Sequence, residues 1–227
     1  MKFYNTKILY TSFETHNVKR FILEKPEGYE FNPGQYALIA IDTPELKEET
    51  RPFSFTSSKD DSIIEFTIKS YPEHNGVTAR LLQLEPGSRL LISESRRMDA
   101  YQGPGLFIAG GTGITPFLSI LRGLSKTTEG RKELEQSFLL FSNRTERDII
   151  AQKELSFMLG KRARFIVTEP DNEAKPERIN EDLMSGILKQ SNLSGKPAYL
   201  CGPPGFVEEA KKMLISQGVN EKEIFLF

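Results

Sequence analysis

The chain has 227 residues, 38% hydrophobic and 27% charged, which is enough for one large domain or two of about 100 residues each. Thirty basic and thirty-one acidic residues leave a formal net charge of −1, which excludes the bulk positive footprint of a nucleic-acid or anionic-membrane binder, and no apolar run approaches the roughly 20 residues that span a bilayer. The single cysteine, Cys201, excludes an intramolecular disulfide and a four-thiolate iron–sulfur cluster; His16 and His74 lie far apart outside any ligand-spaced motif, so both are expected as solvated or strand-edge residues and no metal is expected.

The first hundred residues read as β structure. Runs at 7–10, 18–23, 36–41, 53–56, 63–68 and 89–92 are rich in β-branched and aromatic residues and are separated by Pro, Gly, Asn and Asp turns. Six strands at this spacing predict a small antiparallel barrel or sandwich. One helix interrupts them, opening near Gly76 and running through 77–84 before Pro86-Gly87 ends it. At the start of the fourth strand, Arg51-Pro-Phe-Ser-Phe-Thr-Ser-Ser58 alternates, with Arg51, Phe53 and Phe55 on one face and Ser54, Thr56 and Ser58 on the other. An arginine beside a ring and a hydroxyl could clamp a pyrophosphate, stack a flat heterocycle and bond its edge. On composition alone, a barrel-core aromatic with a solvated arginine is the better reading.

After Tyr101-Gln-Gly-Pro-Gly105 the period changes. Strands at 106–109, 137–141, 164–168, 198–201 and 224–227 alternate with helices at 116–124, 149–158, 179–188 and 205–217, which predicts a five-stranded parallel sheet covered on both faces. The domains therefore run 1–101 and 102–227. Between the first of these strands and helices lies Gly110-Gly-Thr-Gly-Ile-Thr-Pro116, where Thr115 suits an N-cap and Pro116 the first helical position. Free N–H groups at the positive end of a helix dipole make a place for a phosphate, although such turns also serve as packing devices. Pro116 stands where the third glycine of G-x-G-x-x-G would be, so the ordinary dinucleotide fingerprint is absent. Residues 110–115, 142–144, 168–171 and 201–204 all fall at carboxyl ends of strands, where such sheets bind ligands.

Taken together, Phe31-Asn-Pro-Gly-Gln-Tyr36, Arg51-Pro-Phe-Ser54, Gly76-Val-Thr78, Gly110-Gly-Thr-Gly-Ile-Thr-Pro116 and Cys201-Gly-Pro-Pro-Gly-Phe206 occur in an order and at separations that resemble the ferredoxin–NADP reductase family of flavoproteins. The family is meant here in the broad sense that includes flavodoxin, oxygenase and cytochrome b5 reductases. The resemblance covers nearly the whole chain and implies an FAD-binding β-barrel followed by an NAD(P)-binding α/β domain. It implies that Arg51, with Pro52, binds the FAD pyrophosphate, that Phe53 lies against the isoalloxazine and that Ser54 bonds near flavin N5. Phe53 stands where the family more often has tyrosine, which keeps the stacking and loses a hydroxyl contact. Ile68, Lys69 and Ser70 would contact the flavin, and the N–H groups of Gly76, Val77 and Thr78 would receive its phosphates. Gly111, Thr112 and Gly113 would cradle the nicotinamide nucleotide, with Thr112 near the nicotinamide. Cys201, Gly202 and Pro203 would flank the hydride-donating carbon, with Cys201 as a positioning group and not a nucleophile; a small buried hydrophobe is its other reading.

Arg144 could bind the 2′-phosphate of NADPH, yet Glu169 is acidic where NADP-specific relatives tend to place arginine, so NADH is the preferred donor. Phe227 either stacks on the flavin or completes a sheet edge. The reading is a stand-alone cytoplasmic flavoenzyme, monomeric, that takes a hydride from NAD(P)H through FAD and passes electrons to ferredoxin, flavodoxin or another acceptor. Two alternatives stay open: a flavin reductase using free flavin as substrate, and a nucleotide-binding electron-transfer subunit of a larger complex.

Overall fold

The computed structural model describes residues 1–70, 76–97, 99–190 and 195–227; His74 lies outside them. Two units emerge, Met1–Met98 with Thr115–Gly123, and Asp99–Ile114 with Leu124–Phe227.

The first unit contains β1 (Phe3–Thr15), β2 (Val18–Glu24), β3 (Tyr36–Ile41), β4 (Arg51–Ser54), β5 (Ile63–Lys69), α1 (Val77–Leu82) and β6 (Arg89–Ser93). The antiparallel strands lie in the order β4-β3-β6-β1-β2-β5. Just past β4 the chain bridges β5, with Phe55 opposite Phe66 and the Thr56 N–H donating to the Glu65 carbonyl at 2.8 Å. The two edges therefore meet, which removes the open strand edges an unclosed sheet would leave. Inward-facing Ile8, Phe21, Leu23, Ile39 and Phe66 fill the barrel, and Phe31 stacks on Phe55 with centroids 4.0 Å apart. Val77 and Leu81 of α1 join this core, each such burial contributing about 1.5–3 kcal/mol. Lys19, itself buried, reaches the other end of α1, where Nζ donates to the Leu82 and Leu84 carbonyls at 3.0 and 2.8 Å.

β1 is far longer than the four residues its composition predicts. Register shifts at Ile8/Tyr10 and Phe13/Thr15 break the period-2 pattern, so only part of the strand alternates.

α2 (Ile114–Ser125) contributes Thr115–Gly123 to the first unit. Ser119 Oγ donates to the Ser57 carbonyl at 2.8 Å, and Arg122 Nη1 donates to the Thr56 carbonyl at 2.7 Å and to Glu65 Oε1 at 2.5 Å. Thr56 Oγ1 donates to the same carboxylate oxygen at 2.8 Å.

The second unit holds β7 (Leu106–Gly110), α3 (Thr128–Leu134), β8 (Phe138–Asn143), α4 (Gln152–Leu159), β9 (Ala163–Val167), α5 (Glu181–Gln190), β10 (Ala198–Cys201), α6 (Pro204–Ser216) and β11 (Ile224–Leu226). Its strands are parallel in the order β11-β10-β7-β8-β9. Leu106, Ile108, Leu140 and Leu200 pack against Met184, Ile187, Ala210 and Leu214 of α5 and α6. The chain runs outward from β7 through β8 and β9, then returns to β10 and β11 on the other side. The carboxyl ends of β7 and β10 therefore flank the point where strand order reverses, the place where sheets of this kind bind ligands. No described helix is long and apolar enough to cross a membrane.

Candidate functional site

β4 carries the first predicted motif. Its register sets Ser54 opposite Tyr36 and Phe53 opposite Ala37; Phe53 and Ser54 are half-buried and Arg51 is exposed. Pro52 is tolerated because β4 lies at the end of the sheet order. The Arg51 guanidinium is held by near neighbours, with Nη1 donating to the Thr50 carbonyl at 2.8 Å and Nη2 3.9 Å from Glu49 Oε2. At the end of β5, Ile68 is buried, Lys69 half-buried and Ser70 buried. The Ser70 N–H donates to the Asn17 carbonyl at 2.9 Å, while Ser70 Oγ has no hydrogen-bond partner among the described residues. A buried hydroxyl left so costs about 1–3 kcal/mol, which fits a position completed by a ligand atom. α1 opens at extended Gly76 with no side-chain cap, and the first N–H groups of a helix have no partner within it.

In the second unit the glycine turn differs from its expected form. Gly111 has φ +54°, and a 3-10 turn over Gly111–Gly113 runs directly into α2 at Ile114. Thr115 is therefore inside the first turn of α2 and not at its N-cap position, and Pro116 is its third residue. A left-handed glycine turns the chain at once, so the helix needs no threonine to start it. A Cβ on Gly111 would meet nothing within 4 Å, whereas one on Gly113 would lie 2.2 Å from the Cys201 carbonyl oxygen and 2.7 Å from the Gly202 nitrogen. Gly111-Thr112-Gly113 and Cys201-Gly202 thus meet at the β7/β10 switch point. Pro203 then caps α6 with Pro204 in its first turn, a position where a missing N–H costs nothing. Burial pushes the Cys201 thiol up to about 12, so it is neutral at physiological pH.

Beyond β8 and β9 the loops are tied by exposed charges. Arg144 Nε donates to Glu169 Oε2 at 2.6 Å and Arg147 Nε to Asp171 Oδ2 at 2.8 Å. The Glu169 hydrogen bond raises the Arg144 pKa and holds the guanidinium against a carboxylate. Ser142, Thr168, Phe206 and Met213 line a small cavity on the α6 side of the sheet. Phe227 extends the line of β11: its N–H donates to the Leu200 carbonyl at 3.0 Å and its ring meets Tyr199 edge-on, with centroids 5.9 Å apart. Asn143, at the end of β8, is buried with neither amide atom partnered among the described residues. Sequence patterns did not single it out, because one amide closing an apolar strand carries no spacing signal.

A barrel that closes on the Arg51–Ser54 strand thus stands in series with a parallel sheet bearing a glycine turn at its switch point. Two family models match in the same order, "FAD-binding domain" over residues 3–104 and "Oxidoreductase NAD-binding domain" over residues 107–212. The two parts of the chain thus match an FAD-binding and an NAD-binding domain family in turn, as the resemblance to the ferredoxin–NADP reductase family implies. It is 30% identical over 217 residues to the ferredoxin--NAD(P)(+) reductase component of the naphthalene 1,2-dioxygenase/salicylate 5-hydroxylase systems of Ralstonia sp, covering 90% of this chain and 62% of that relative. NADH-cytochrome b5 reductase 2 of Botryotinia fuckeliana is 28% identical, covering 84% of this chain and 58% of that relative. The chain thus spans about three-fifths of the length of these curated relatives. Among solved structures, the CS-b5R domains of human Ncb5or in the NAD+ form align at TM-score 0.84 and 26% identity, covering 100% of this chain and 69% of that one. A ferredoxin NADP+ reductase from Neisseria gonorrhoeae with bound FAD and NADP shares the fold at TM-score 0.79 and 21% identity, covering 100% of this chain and 98% of that one.

Proposed function

We propose that this chain takes a hydride from NADH through FAD and passes the electrons on to a separate carrier, a ferredoxin, a flavodoxin or another redox acceptor. Residues 1–101 would form the FAD domain and 102–227 the nucleotide domain. The observation that carries the proposal is the meeting of Gly111-Thr112-Gly113 with Cys201-Gly202 at the switch point of the second sheet, in a chain whose first half matches an FAD-binding domain. Bound FAD supplies two-electron acceptance from a nicotinamide and release of electrons singly or in pairs.

The protein's part is to bind, orient and exclude water. Arg51 would take the pyrophosphate, aided by the fixed backbone at Pro52; Phe53 would lie against the flavin ring and Ser54 would bond its edge. Ile68, Lys69 and Ser70 would flank the ring, a role favoured by the unpartnered Ser70 hydroxyl. The N–H groups of Gly76, Val77 and Thr78 would meet the phosphates. On the nucleotide side, Gly111, Thr112 and Gly113 would receive the dinucleotide, and Cys201, Gly202 and Pro203 would border the nicotinamide. A neutral Cys201 thiol offers shape without charge, so no nucleophile, general acid or general base is required. Phe227 is assigned to the sheet and not to the flavin, on its Leu200 hydrogen bond and its Tyr199 contact.

NADH is favoured because Glu169 already engages Arg144: a 2′-phosphate would have to displace that carboxylate, while a ribose diol can donate to it. The test is a visible spectrum of the purified protein followed by anaerobic reduction with NADH and NADPH. Bound FAD and a higher kcat/KM for NADH are expected, and Glu169→Gln should raise the NADPH-to-NADH ratio about tenfold, or about 1.4 kcal/mol. A colourless protein active only with added flavin would overturn the retained cofactor. A ratio unmoved by Glu169→Gln would overturn the specificity assignment.

A further inference from the structure

Asn143 is 4% exposed, and neither Nδ2 nor Oδ1 has a hydrogen-bond partner among the described residues. Its backbone carbonyl accepts from the Thr168 N–H at 3.0 Å. Ser142 faces the cavity on the α6 side, and strand alternation therefore turns Asn143 to the other face. Gly110 pairs with Ser142 as the last rung between β7 and β8, which sets Gly111 and Asn143 next along the two strands. β8 borders the Gly111–Gly113 turn, and the space over Gly111 is open. A buried, unpartnered amide thus stands beside an open glycine turn at the carboxyl end of the sheet.

The two idle atoms restrict what can complete them. Nδ2 donates and Oδ1 accepts, whereas an ionised phosphate only accepts. We propose that the Asn143 amide is a recognition contact to a group of the bound nicotinamide nucleotide that both donates and accepts: a ribose hydroxyl or the nicotinamide carboxamide. The inference rests on the nucleotide reading above and adds a residue to it.

Wild-type protein, its FAD first reduced with dithionite so that no hydride transfer follows, is titrated anaerobically with NADH and with ADP-ribose by calorimetry; if neither binds, the nucleotide reading itself fails and the Asn143 assignment with it. Given binding, Asn143→Leu keeps the approximate volume and removes both polar atoms. The Kd for NADH should rise at least tenfold, with the nucleotide-free Tm unchanged or higher and the FAD absorbance unaltered. A matching loss for ADP-ribose identifies a ribose hydroxyl, and a loss confined to NADH identifies the carboxamide. A Kd within twofold of wild type overturns the proposal, as expected if a buried water completes the amide. A folded leucine variant with a lower nucleotide-free Tm also overturns it, since the amide would then be bonded within the protein. Should the leucine variant fail to fold, Asn143→Asp decides: it keeps the shape and an acceptor but not the donor, so weaker NADH binding upholds the contact and wild-type binding rejects it.

Discussion

Cys201 lies where a strand becomes a helix, and its burial sets both its packing and its chemistry. The thiol is pushed up to about 12, above the roughly 8.5 of a free cysteine. The sign follows from the raised value. The neutral form is favoured in the folded chain, so its contribution to stability is complete below about pH 8.5 and is lost as pH climbs through about 12. Iodoacetamide at pH 8 should therefore label native protein far more slowly than urea-unfolded protein, as read by mass spectrometry; equal rates would show an accessible thiolate. At this scale the glycines and prolines were the legible residues, because Gly111 and Gly113 answer to backbone requirements that leave few substitutes. Thr115 was misleading: a threonine before a proline looks like a cap, but the left-handed Gly111 had already started the turn. Asn143 was silent, since burial of one amide becomes visible only when its neighbours in space are known.

Elements were legible in proportion to their periodicity. The parallel strands and α5 and α6 stood out as apolar runs or amphipathic stripes, whereas α3, Thr128-Glu-Gly-Arg-Lys-Glu-Leu134, has one large apolar residue and no stripe to read. Its start is fixed by the Thr127 hydroxyl, which accepts from the Gly130 N–H at 3.0 Å. The fastening of α2 was equally hidden, for Arg122 and Glu65 are 57 positions apart. Their side chains are 17% and 9% exposed, and the carboxylate also accepts from Thr56. Removing one member of such a pair strands the other, at about 3–5 kcal/mol when burial is complete. Arg122→Met should accordingly destabilise the FAD-loaded protein by about 3 kcal/mol in urea titrations. A loss below about 1 kcal/mol would place the pair among exposed ones.

Over the whole chain, each unit has its own hydrophobic core, and the two family models fall in series on the two halves. The change from period-2 strands to alternating strands and helices showed that order from sequence alone. The affiliation of Thr115–Gly123 did not follow from it, because a helix after a glycine turn reads as part of the sheet it leaves. Hydrogen exchange offers a direct check: the amides of residues 117–123 should open with the barrel strands β4 and β5 as destabilisation proceeds. Exchange in step with β8 and β9 would contradict that grouping. Recombination between homologues would feel the same arrangement. A chimera joined at the Gly103-Pro104-Gly105 link would import a foreign α2 beneath a resident barrel, and only donors carrying equivalents of Ser119 and Arg122 would find Ser57 and Glu65 waiting for them.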